Sequence, residues 1–480
     1  MKKINKFLTI SLLIFSIVFT SSCKKYLDIN TDPTSATSVD GKLLFGYAVT
    51  YWDQSRCGGD IHIPISLMSQ TIASGGNYGW GKDNVYVLSP TSLNNTWTFY
   101  YQRVGNNLQL AIKAFEAAGN KNGVAQCQIV LAQVVYEASL MFGDIPYSEA
   151  WKSAIPYPKF DGQKDALESL LKLLNGAIAS LDAASPLKIS DYDIYYGGDI
   201  DKWKKTANSI KFKILMTMVD KDPTKAAEIG TMAANPSAMI NAASENWLFK
   251  YGASTTNANP KQRLLATYTN GENQWFFANK NVLDYMKPTD PRIPKYFDKP
   301  AAATGYISVQ TEEEADANTA KISTYLYRQD APDLLCTYQE LSLLQAEVYA
   351  RGLGVSKDLT KAQALYNQGL QAAMLFYGSS ASATSTYIST QVPDLTTNAD
   401  PVKEIHLQQW VDLMDRPIEA FTQWRRSGTD GNEVPQLALP VGATAGPLIR
   451  RYVYSVDESN ANPNLPKPTP VYSDKQWFDL

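Results

Sequence analysis

Histidine is almost missing from this chain: 480 residues hold two, His62 in "DIHIP" and His406 in "EIHLQQW". Neither has H-E-x-x-H spacing or a neighbouring cysteine cluster, so no metal site and no bound cofactor is expected. No G-x-S-x-G turn is present to display a nucleophile. Four cysteines are too few for a disulfide scaffold, and with Cys23 set apart, Cys57, Cys127 and Cys336 close at most one bridge within the chain. A surplus of positive charge is also lacking, since 44 Lys and Arg stand against 47 Asp and Glu, for a net charge of −3. Nucleic acid, whose phosphates demand a basic surface, is excluded as a partner.

The front end is different in kind. Lys2, Lys3 and Lys6 precede an apolar run, Phe7–Phe19, that is shorter than the roughly 20 residues of a spanning helix. Small residues Ser21 and Ser22 follow, then Cys23. This order is that of a bacterial lipoprotein signal, with Thr20 where such signals prefer leucine. Residues 1–22 are thus expected to be removed and Cys23 to carry lipid, each buried methylene contributing about 0.8 kcal/mol to membrane attachment. Asn30, Asp32, Pro33, Thr34 and Ser35 favour turns over a packed element, so residues 23–40 read as a tether. Residues 41–480 contain no internal low-complexity divide and read as a single body.

Helical periodicity dominates that body. Val104, Leu108, Ala111, Ile112 and Phe115 mark a helix over Tyr101–Ala118, and a second runs over Val124–Phe142 before Gly143. Further stretches fall at Lys164–Ala184, Asp201–Val219, Pro332–Arg351, Leu359–Phe376 and Val402–Arg425. Successive pairs that cannot bury their apolar faces alone predict a mainly α, tetratricopeptide-like repeat body.

Between the pairs lie long irregular segments rich in Asn, Gly, Thr, Tyr and Trp: Ser69–Thr96, Pro236–Lys280 and Thr304–Asp333. Loops of that size inside a packed body usually carry function. "SGGNYGWGKD" (Ser74–Asp83) fits G-x-x-x-x-G-K from Gly76 to Lys82, but Asp83 replaces the magnesium-holding Ser or Thr and repels phosphate. What remains is a glycine-rich loop displaying Tyr78 and Trp80 beside Asn77. A second cluster, "NGENQWFFANKN" (Asn270–Asn281), sets Trp275 and Phe276 beside Asn273. Aromatic planes stack on the C–H faces of sugars while amides read the hydroxyls, so Asn77, Tyr78, Trp80, Asn273, Trp275 and Phe276 are the expected ligand-binding residues. No catalytic residue is assigned, although a glycosidase's two carboxylates leave no fixed spacing in sequence.

Several stretches together resemble the SusD/RagB family of outer-membrane nutrient-binding lipoproteins: "CKKYLDINTDPT" at the anchor, "FGDIPYSEA" (Phe142–Ala150), "YQELSLLQAEVYARG" (Tyr338–Gly352), "EAFTQWRRSG" (Glu419–Gly428), "IRRYVYSVDESNANPN" (Ile449–Asn464) and "WFD" (Trp477–Asp479). The resemblance implies four tetratricopeptide-like units, a SusC-like TonB-dependent transporter as partner, and capture of oligosaccharides or oligopeptides at the cell surface without bond breakage. The residues themselves read structurally: Gly143, Asp144 and Pro146 as a corner, and Arg425, Arg426, Arg450 and Arg451 as ties to carboxylates such as Glu340, Glu347 or Glu458.

Overall fold

Apolar side chains cover nearly the whole circumference of the helix Lys121–Phe142, and that decides where it lies. Its 22 residues are long and apolar enough to cross a membrane, yet 89% of the apolar window is buried inside the protein, making it the core helix. Asn120 caps its start by accepting the Gly123 N–H at 2.8 Å, and Gly143 ends it at φ 78°. The computed structural model describes residues 39–75, 83–310, 315–440, 442–443 and 446–480. Within these, Gly41–Leu480 form one compact unit. The signal-like segment, Cys23 and nearly all of the tether lie outside the described residues.

The described chain is mainly α-helical, and its helices pack as successive pairs in the tetratricopeptide-like manner: Asn106–Ala117 with the core helix, Gln163–Ser180 with Ile200–Met218, Tyr338–Arg351 with Leu359–Phe376, and Pro401–Asp412 with Pro417–Arg426. Close approach within the third pair depends on Gly369, where a Cβ would lie 2.8 Å from Leu343 Cγ. A further helix, Gly41–Arg56, buries Phe45, Ala48, Val49 and Trp52 at helical spacing against Asn106–Ala117. All three of Cys57, Cys127 and Cys336 are buried free thiols.

Three helices differ from their sequence-based outlines. Phe99–Gly105, which overlaps the start of the first predicted helix, is a π-helix that runs directly into Asn106–Ala117. In the stretch from Pro332 to Arg351, Asp333–Cys336 is a fully buried strand, and the helix starts only at Tyr338. Leu334, Leu335 and Cys336 form an apolar run too short for periodicity to separate strand from helix, and Thr337, accepting the Glu340 N–H at 3.4 Å, marks the true start. The last stretch breaks before Pro417, whose ring nitrogen has no proton to donate to a continuous helix.

The final carbonyls of the core helix have no partners within it, and the C-terminal segments supply them. Arg425 Nη2 donates to Leu140 O at 2.9 Å; Tyr452 N and Gln476 Nε2 donate to Met141 O at 2.8 and 2.9 Å; the Arg451 guanidinium donates to Phe142 O. Arg425 and Arg451 thus serve backbone carbonyls, not the carboxylates expected from the sequence. Arg426 does pair with Glu347, and Arg450 with Glu433 and Asp479, whereas Glu458 accepts from Asn462 at 2.8 Å. Asp144 accepts the Gln163 N–H at 2.8 Å, tying the "GDIPY" corner to the next helix.

Buried charge crosses the repeats as well. Arg56 pairs with Glu137 of the core helix, with Asp333 at 2.9 Å and with Glu419 at 3.4 Å. Removing one member of such a group leaves an uncompensated buried charge, a loss of about 3–5 kcal/mol.

Candidate ligand-binding site

The three long segments singled out by composition converge on one small sheet. Each contributes a strand: β1 (Ile72–Ser74), β3 (Phe276–Ala278) and β5 (Lys321–Ile322), with β4 (Phe297–Asp298) completing the order β1-β3-β5-β4. The other two strands, β2 (Trp247–Phe249) and β6 (Asp333–Cys336), pair antiparallel elsewhere. In the four-stranded sheet β1 runs antiparallel to β3 with Ser74 opposite Phe276, and Gly75 N–H donates to Trp275 O at 2.8 Å. Gly75, the last described residue before segment 76–82, is thus tied to the second aromatic cluster.

Asparagine and glutamine side chains hold this corner together. Asn273 donates to Phe276 O at 3.0 Å and to Ile322 O at 2.7 Å, stapling β3 to β5, while its Oδ1 accepts the Phe276 N–H at 3.0 Å. Gln70, at φ 58°, accepts from Asn281 at 2.8 Å and donates to Tyr86 OH at 2.9 Å and Ala438 O at 2.6 Å. Burial pushes the Tyr86 phenol up to about 12, against the opposing pull of the Gln70 hydrogen bond, and keeps it neutral. Asn281 O in turn accepts from Trp410 Nε1 at 2.7 Å, fastening the corner to the helix Pro401–Asp412.

The aromatic surface is layered. Phe276 is 0% exposed and Trp275 8% exposed, but Tyr268, at the end of the helix Pro260–Thr269, is 57% exposed and lies 5.6 Å from the Trp275 ring at an interplanar angle of 32°. An outward phenol backed by a buried indole is a rigid platform for a flat apolar face. Both histidines belong to the interior. His62 Nε2 lies 3.1 Å from Tyr327 OH, and burial first, then the Lys261 and Arg56 charges, push its pKa well down. His406 is buried beside Glu347 at 3.3 Å. Among the described residues no cluster of His, Cys, Asp and Glu is placed to hold a metal.

A SusD-like family model described as "Starch-binding associating with outer membrane" matches residues 56–454. The chain belongs to the SusD-like family. Its fold is shared with a solved "chitin-binding protein" (22% identity, TM-score 0.76, 92% of this chain and 100% of that one). A SusD/RagB family protein from Bacteroides thetaiotaomicron aligns at 22% identity and TM-score 0.75, covering 92% of this chain and 99% of its own. A chitin-binding SusD homolog from Flavobacterium johnsoniae gives 18% and 0.74, covering 92% and 98%. A search of curated protein sequences finds no match.

In this SusD-like chain, Asn77, Tyr78 and Trp80 lie outside the described residues. Asn273, Trp275 and Phe276 do fall together, but on the inner side of the corner: Asn273 is 5% exposed with its amide engaged by backbone, and Phe276 packs near Tyr327 at 6.1 Å. Tyr268, which sequence reasoning passed over, supplies the exposed ring. The usable signals were Asn259-Pro260, a capped helix start, and Asn270 in the left-handed region at φ 55°, which together outline a helix inside what reads as a loop.

Proposed function

We propose that this SusD-like chain is a cell-surface, outer-membrane lipoprotein that captures oligosaccharides and acts as a lid for a SusC-like TonB-dependent transporter, binding its ligand without breaking bonds. The observation that carries the reading is the exposed Tyr268 ring backed by Trp275, whose carbonyl accepts the N–H of Gly75, the residue before the sequence segment bearing Asn77, Tyr78 and Trp80. The family description and the chitin-binding names of two structural neighbours support a glycan ligand.

The test is titration calorimetry of the purified protein against starch and chitin oligosaccharides and a control set of oligopeptides. Tyr268→Ala and Trp80→Ala should each weaken glycan binding roughly tenfold, the worth of one aromatic platform at about 1.4 kcal/mol. Trp275→Ala should weaken it by removing the backing ring. Tight peptide binding with no glycan heat would replace this ligand assignment, and glycan binding untouched by all three changes would displace the site. Co-purification of a TonB-dependent transporter from native membranes checks the partner.

A further inference from the structure

The helical run from Pro90 to Ala117 carries a seven-residue π-helix, Phe99–Gly105, flanked by α-helix on both sides. Widened turns of this kind are uncommon and occur frequently at functional sites. Tyr101 lies within this turn. It sits 4.6 Å from Trp97 and 5.7 Å from Trp151, at interplanar angles of 33° and 28°, and Trp97 continues to Phe160 at 6.2 Å and 24°. Four rings thus form a ladder in which Trp97, 7% exposed, is the buried member and Phe160, Tyr101 and Trp151 are partly buried.

Trp151 is held at φ 59°, a left-handed conformation that bulky residues rarely adopt. Two features keep it there. Its Nε1 donates to Tyr101 O at 2.7 Å, and its indole occupies the space beside Gly105, where a Cβ would lie 2.2 Å from Cζ2. Tyr101 OH completes the lock by donating to Pro146 O at 3.0 Å in the "GDIPY" corner.

The ladder opens into a cleft of about 890 Å³, near the upper end of the roughly 300–1,000 Å³ of small-ligand sites. One wall is Trp97, Tyr101 and Trp151; the exposed Gln102, Arg103 and Asn106 stand beside it. Asp457 and Glu458 line the cleft too, so Arg103 and Lys152 are balanced by two carboxylates and neither sign of charge dominates. Flat rings for C–H faces, amides and carboxylates for hydroxyls, and no net charge suit a neutral sugar chain better than a phosphate or an acidic peptide. The cleft shares no lining residue with the Tyr268 and Trp275 platform.

We propose that this cleft is a second carbohydrate subsite, taking a segment of neutral oligosaccharide on the Tyr101 and Trp151 pair. The inference rests on the glycan-binding reading above, and one experiment separates the two. Amide hydrogen exchange of the full chain is followed without ligand and with saturating maltoheptaose, chitohexaose or a neutral proline-containing octapeptide. Binding of either glycan should slow exchange both at 99–107 with 455–461 and at 72–75 with 268–278.

Gln102→Ala with Asn106→Ala, both surface changes, should remove the protection at 99–107 and leave that at 268–278. Loss of these two hydrogen bonds corresponds to roughly tenfold weaker binding in the cleft. Glycan protection confined to 72–75 and 268–278, or cleft protection that survives the double change, overturns the second subsite while the main reading stands. Protection confined to the cleft supports the subsite and overturns the Tyr268 platform as the site. If the octapeptide alone protects the cleft, the sugar assignment is wrong. No protection anywhere by either glycan overturns both.

Discussion

Glu137 shows how one buried carboxyl sets a pH dependence. Burial, and next in sign the nearby Glu419 charge, raise its pKa against the pull of Arg56, Gln133 and Trp52, so that the carboxyl is pushed from 4.5 up to about 7. Tyr100 OH also donates to it at 3.2 Å. The folded state therefore holds a proton that the unfolded chain has already released, and this contribution to stability is full below pH 4.5 and lost as pH rises through about 7. Glu347 acts in the opposite sense. Burial opposes its charge, but Arg426, then His406, outweigh that and hold it well below 4.5, so its contribution is present above that value and lost on acidification. Urea unfolding between about pH 5 and pH 8 should show the midpoint of the native protein falling with pH relative to that of Glu137→Gln; parallel profiles would count against the assignment.

At the scale of elements, the helix Tyr338–Arg351 depends on its first turn. Thr337 accepts the Glu340 N–H, the Tyr338 N–H goes to Asn246 at 2.8 Å, and Gly352 at φ 73° closes the far end. Thr337→Ala should cost about 1 kcal/mol, read as a lower denaturant midpoint, and Thr337→Ser should recover most of it. The same element explains why the sequence outline ran long. Asp333–Cys336 is all buried, and a strand buried on both sides carries no alternation to distinguish it from a helix. The helix Gly41–Arg56 is the reverse case: its stripe of Phe45, Ala48, Val49 and Trp52 was legible but stands next to turn-rich residues that draw the eye to a tether.

At the scale of the whole molecule, the family signatures turn out to meet in space. Phe142 O, at the start of "FGDIPYSEA", accepts from Arg451 of "IRRYVYSV", Leu140 O just before it accepts from Arg425 of "EAFTQWRRSG", and Asp479 of "WFD" pairs with Arg450. These residues mark the fold because they finish the core helix, which is why they identify a family and say little about its ligand. The anchor is tested at this scale too. Cys23→Ala should move the protein from the membrane to the soluble fraction, checked by fractionation and by loss of the lipid mass from the mature N-terminus; retention of both would remove Cys23 from the lipid assignment.

The first three helical pairs, the corner at Gly143 and the family followed from the sequence alone, because periodicity, caps and breakers are local properties written within a few turns of chain. The joining of three distant segments into one sheet was not, since strands of two or three residues carry no readable period and their hydrogen-bond partners lie elsewhere in the sequence. Nor was the division of labour between Trp275 and Tyr268. An aromatic side chain has the same composition whether it faces core or solvent, and only the tertiary packing that sets Trp275 beside Tyr268 buried the indole and left the phenol outside.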